Sequence, residues 1–172
     1  PSPETVGKRL ATLHRLAELK QTKQPFFVVS SIRAALQPVI LGLDKYPALN
    51  FQVGKEYLLP ELALKLIEIA YQRVDMVVRR GEFAVRGGIV DLFPTTAKHP
   101  VRLEFFGDEL EQMREFSVAD QRSLDAKPTE LVVYPAREII ITPDVAQRAR
   151  EMEHEFPNLS SMLAKIGQGI PV

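Results

Sequence analysis

Between Val74 and Tyr134 the chain gives up the three- and four-residue apolar spacing of the segments before it. Short runs rich in Val, Ile, Leu and Phe take its place, separated by Gly, Pro and Asp at close intervals. Runs of four to eight residues bounded by such breakers are the pattern of an antiparallel meander. The spacing predicts strands at Asp75–Val78, Glu82–Arg86, Gly88–Phe93, Val101–Phe106, Leu110–Ser117 and Leu131–Tyr134.

Helical patterning flanks the meander. Ser2, Pro3 and Glu4 read as a helix start, followed by an apolar stripe at Val6, Leu10, Leu13, Leu16 and Ala17 running to about Lys20. Pro25 to Ser30 (PFFVVS) is a continuous apolar run, as expected of a strand buried on both faces, and a short helix from Ser30 to Gln37 ends at Pro38. Leu41 to Asn50 reads as a connection and Phe51 to Val53 as a short strand. Pro60 and Glu61 open a helix to about Arg73 with Leu62, Leu66, Ile69 and Ala70 inward, and Pro143 and Asp144 open another to about Glu155. The glycines and proline of 157–172 suggest a loose or truncated end. The expected class is α+β: an antiparallel meander with flanking helices, attached to a piece of an α/β layer.

Composition narrows the function. Twenty-two basic residues balance twenty-two acidic ones, so recognition through charge must be local. Without cysteine there are no disulfides, thiolate metal sites or thiol nucleophiles, and His14, His99 and His154 stand in unrelated contexts. No apolar run is long enough to span a membrane, and a cytoplasmic location is expected. Gly54-Lys55-Glu56 holds only the middle of a phosphate-binding loop, and Ser30-Ser31 lacks the glycines of a nucleophile elbow. Glu104, Asp108, Glu109 and Glu111 cluster like catalytic or metal-binding carboxylates, yet Gly107-Asp108-Glu109 falls between two strands and reads as a hairpin turn. Catalysis, a cofactor and a bound metal are therefore not expected.

Strand alternation draws attention to one surface. In Val101–Phe106, residues Val101, Leu103 and Phe105 share the apolar face, leaving Arg102, Glu104 and Phe106 on the other. In Glu82–Arg86, Phe83 and Val85 turn inward, with Glu82, Ala84 and Arg86 outward. An exposed phenylalanine beside arginines is interface-like. By alternation alone, an ordinary solvated face accounts for them equally well.

Four segments carry a family resemblance: Tyr71–Asp75 (YQRVD), Arg80–Pro94 (RGEFAVRGGIVDLFP), Pro100–Glu109 (PVRLEFFGDE) and Phe116–Arg122 (FSVADQR). Together they resemble the UvrB-homology module of bacterial transcription-repair coupling factors, with a looser likeness from Thr5 to Thr142. The excision-repair helicase UvrB is the alternative, but it usually has a second arginine where this chain has Ala84, and Arg-Gly-Asp where this chain has Arg86-Gly87-Gly88. The resemblance implies a partial RecA-like segment over 1–50, a UvrA-interaction domain over 51–136 and a helical segment over 137–172 that returns to the RecA-like layer. It implies docking onto UvrA through Arg86, Arg102 and Phe106, with Glu104 and Arg80 as weaker candidates, and recruitment of nucleotide excision repair to stalled RNA polymerase. Translocation on DNA, driven by ATP, and polymerase binding belong in that family to domains outside this chain, as does a C-terminal domain that masks the docking face. A DNA-binding role for the mildly basic stretch from Arg73 to Arg102 is the remaining alternative.

Overall fold

The computed structural model describes residues 2–22, 25–39 and 48–170. The expected connection over 41–50 lies largely outside these. The described chain divides into two compact units, Pro1–Glu138 and Ile139–Val172.

Helix α1 (Pro3–Thr22) opens the first unit and buries Val6 and Leu10, with Leu13 and Tyr134 packed beside them. Gly7 is required there, since a β-carbon would collide with the Thr95 side chain. The run at Phe26 to Val29 departs from expectation: it forms no strand, and Phe27 and Val29 are almost fully exposed. A strand buried on both faces needs a neighbour on each edge, and none among the described residues pairs with it. Ser31 caps the short helix α2 (Ile32–Ala35) by accepting a hydrogen bond from the Ala34 amide.

Strand β1 (Leu49–Gln52) leads into helix α3 (Leu59–Glu68). The helix stops before Arg73 because Ala70 takes a left-handed conformation (φ 66°). The Tyr71 amide then bonds to the Leu66 carbonyl and the Ala70 amide to that of Ile67, closing a Schellman motif. Next come β2 (Gln72–Arg73), β3 (Glu82–Arg86), β4 (Ile89–Leu92), β5 (Val101–Phe106), β6 (Glu109–Glu115) and β7 (Glu130–Val133). Strands β2 to β6 form one sheet in chain order, antiparallel except for the parallel pair β2 and β3, while β1 and β7 form a separate antiparallel ribbon. The expected strand Asp75–Val78 is absent. The amides of Val78 and Arg79 donate instead to the Glu82 carboxylate, at 2.9 and 2.8 Å, which replaces ladder bonds with a side-chain clasp.

The alternating apolar residues give the sheet its inner face. Phe83, Val90, Leu92, Val101, Leu103, Leu110 and Met113 pack with Leu62 and Leu66 of α3 and with Phe51 and Val133 of the ribbon. Tyr71 fastens this core, its hydroxyl accepting from the Thr95 amide and donating to the Tyr134 carbonyl. On the opposite face Ala84 and Phe93 are covered by Val77 and Phe116. Ala84 is therefore buried, although alternation places it outward, because loop residues roof that part of the sheet.

In the second unit, Thr142 caps helix α4 (Pro143–Met152), and a single 3-10 turn (Pro157–Leu159) precedes helix α5 (Ser160–Gly167). Within the segment expected to be loose, Ser160–Gly167 is thus an ordered helix. Ala149, Leu163 and Ile166 form a small core, and the Arg150 guanidinium donates to the Gly167 carbonyl.

Candidate partner-binding face

The uncovered part of the outer face is built on three strands. The register sets Arg86 of β3 opposite Ile89 of β4, Ile89 opposite Glu104 of β5, and Asp91 opposite Arg102. Residues two apart along a strand share a face, so Arg86, Ile89, Asp91, Arg102 and Glu104 occupy one surface. Gly87 supplies the positive φ (58°) that turns β3 into β4. Gly88 brings the turn against β5, where a β-carbon would sit 2.8 Å from the Phe105 carbonyl oxygen.

Asp91 is at the centre of this surface. Its side chain is completely buried, yet its carboxylate holds two guanidinium groups. Arg102 donates from Nε to Oδ1 at 2.6 Å and from Nη2 to Oδ2 at 2.9 Å, while Arg86 donates from Nη2 to Oδ2 at 2.7 Å. A buried carboxylate requires such partners, because desolvating an unpaired charge is very costly. The hydrogen bond to Asp91 raises Arg102 above its already high pKa, and its guanidinium also lies over the Phe116 ring, 5.0 Å from the centroid. Arg86 projects further, with a little over half of its side chain exposed.

Phe106 ends β5, opposite Glu109, and is 77% exposed. Its neighbour Phe105 turns inward, against the core and edge-on to Tyr57. A β-bulge between Glu104 and Phe105 interrupts the pairing with β6, and the assignment of the two rings to opposite faces survives it. The next residue, Gly107 (φ 61°), forms the hairpin turn expected there, and the Asp108 carbonyl is tied by the Tyr57 amide at 2.7 Å.

The weaker candidates separate. Glu104 lies on the arginine face, accepting from Gln112 at 2.6 Å and facing Arg114 at 3.5 Å. Arg80 is engaged elsewhere: it donates to the Ala97 carbonyl, pairs with Glu4 of α1 and lies over the Phe93 ring. Asp108, Glu109 and Glu111 are exposed, and among the described residues no three acidic or histidine side chains converge in a way that would hold a metal. Asp91 is the residue that inspection of the sequence overlooked. Its position within Ile89-Val90-Asp91-Leu92 carries the signal, since alternation with Val90 and Leu92 inward puts the aspartate on the arginine side.

Residues 49–139 match the family described as the UvrB interaction domain. Over its whole length the chain is 46% identical to the transcription-repair-coupling factors of Mycobacterium tuberculosis and Mycobacterium bovis, and over 96% of its length 38% identical to that of Bacillus subtilis. It spans about 15% of the length of these relatives. No helix among the described residues is long and apolar enough to cross a membrane. With the interaction-domain match covering the five-stranded sheet and the β1–β7 ribbon, the chain belongs to the UvrB interaction domain family, in a form similar to that of transcription-repair coupling factors.

Proposed function

We propose that this chain is the non-catalytic interaction module of a transcription-repair coupling factor and docks onto UvrA through Arg86, Arg102 and Phe106. The observation that carries the reading is the pairing, on one sheet face, of a largely exposed aromatic ring with two arginines gathered on a buried aspartate. Buried aromatic and arginine anchors dominate the energetics of protein interfaces, and Arg86 and Arg102 keep unused N–H groups for acidic or carbonyl oxygens of a partner. Docking here brings excision repair to stalled RNA polymerase, with polymerase and DNA engaged by other parts of the longer protein. In this reading residues 1–50 and 137–172 belong to a RecA-like layer, Glu104 adjusts the partner's orientation, and Arg80 contributes least.

The test is the affinity of the chain for purified UvrA in wild type and in the variants Arg86→Glu and Arg102→Glu. Charge reversal at either position is expected to weaken binding by about 2 kcal/mol or more, with the circular dichroism spectrum retained. Affinities equal to wild type in both variants would remove the surface assignment.

A further inference from the structure

We infer that Asp91 is the positioning residue of this face: its carboxylate pre-orders Arg86 and Arg102 so that the partner meets a fixed pair of guanidinium groups. The inference rests on the docking reading above and concerns a residue that never touches the partner, its side chain being wholly buried.

The geometry states how the positioning works. Arg102 gives Asp91 its Nε and Nη2 edge, through bonds of 2.6 and 2.9 Å, which leaves the adjacent edge formed by the two Nη groups without a second internal acceptor among the described residues. An acidic group can engage that edge end-on without breaking the internal pair. Arg86 commits a single Nη2 bond and keeps the rest of its donors. The Phe116 ring beneath Arg102 supplies a second support, so this guanidinium is held both in its plane and from below. Ordering a long side chain before association removes an entropic cost that binding otherwise bears.

Charge alone makes the opposite forecast. Replacing Asp91 by asparagine adds one net positive charge beside the arginines, which favours any acidic partner if attraction between charges is the whole effect. Positioning forecasts weaker binding, so the sign of the change separates the two.

The experiment uses the chain with 15N-labelled arginine, together with its affinity for UvrA. In the free wild-type chain the Arg102 Nε–H is expected as a resolved, slowly exchanging signal. Asp91→Asn is expected to lose that signal and to weaken UvrA binding by about tenfold, the scale of one charge-assisted hydrogen bond, while core backbone resonances persist. Wild-type-like or tighter binding by Asp91→Asn, with the Arg102 signal lost, overturns the inference. So does a wild-type Arg102 Nε–H that exchanges like a solvated arginine, a measurement that decides the matter even where the asparagine variant does not fold. Arg86→Glu and Arg102→Glu serve as the controls: if both bind UvrA normally the docking reading itself falls, whereas weakened binding by Arg102→Glu beside an unaffected Asp91→Asn refutes positioning alone.

Discussion

The two adjacent phenylalanines of β5 provide a direct test of the face assignment, because the same substitution should have opposite consequences one residue apart. Phe105 packs against the main core and lies edge-on to Tyr57, with the ring centroids 6.4 Å apart. A fully buried phenylalanine cut back to alanine costs about 3–5 kcal/mol. Phe105 is only partly buried, which brings the expected loss for Phe105→Ala to about 2 kcal/mol, or a fall in melting temperature of roughly 4–8 °C for a chain of this size. Phe106 is 77% exposed, so its removal from the free chain should change stability by less than about 0.5 kcal/mol.

Binding should reverse this order. If the Phe106 ring fills a pocket on UvrA, Phe106→Ala loses about 2 kcal/mol or more of binding free energy, roughly a thirtyfold rise in Kd. Phe105→Ala, measured well below its melting temperature, should bind within a few-fold of wild type. Thermal denaturation followed by circular dichroism and titration calorimetry with UvrA read the two quantities separately. A melting temperature lowered by Phe106→Ala as much as by Phe105→Ala would refute the alternation on which the face is built. An unchanged melting temperature with unchanged affinity would leave the face in place and dismiss the ring as an anchor.

Two further outcomes follow from the backbone and the core. Ala70→Gly relieves a left-handed alanine (φ 66°) at the end of α3 and is expected to stabilise the chain by about 1 kcal/mol, read as a higher urea midpoint; a lower midpoint would contradict the Schellman assignment. Burial pushes the Tyr71 hydroxyl up to about 12, opposed in part by the hydrogen bond from Thr95. An acid with a raised folded-state pKa contributes stability that is intact below its unfolded value near 10 and is lost as pH rises from there toward 12. Urea midpoints should therefore fall across that window in wild type and fall less in Tyr71→Phe, and equal slopes would exclude Tyr71 as the cause.

Much of the candidate face's geometry was legible because alternation within a strand is a local rule. Glu82–Arg86 and Val101–Phe106 carry enough apolar contrast to fix the bounds of β3 and β5 and the outward side of Arg86, Arg102 and Phe106. What escaped the sequence depends on contacts between distant segments. Ala84 is buried because Val77 and Phe116 reach over it, and no local pattern announces a roof made of two loops. Phe26 to Val29 has the composition of a buried strand, but pairing is a property of the neighbours. Glycines misled in the last segment: Gly169 (φ 79°) stops α5, and Gly167 lets it approach Arg150, so residues that signal looseness in isolation serve a helix end and a close packing contact.

The buried aspartate also bears on the proposal that this face meets a protein rather than a nucleic acid. A surface that tracks phosphates gains affinity from cations whose counterions are released on binding, and it needs several of them free. Here Asp91 neutralises part of the Arg86 and Arg102 charge, and Glu104 does the same for Arg114, within a chain whose basic and acidic residues balance. The long-range attraction is reduced, while the short-range, directional donors of the two guanidinium groups remain. Directional donors beside an exposed ring discriminate by shape and hydrogen bonding, which a repeating phosphate backbone does not reward and a folded partner with placed acidic groups does. If the face docks as proposed, the carboxylate that lowers its net charge also favours a partner with placed acidic groups, which would link the positioning of Arg86 and Arg102 to the choice of partner.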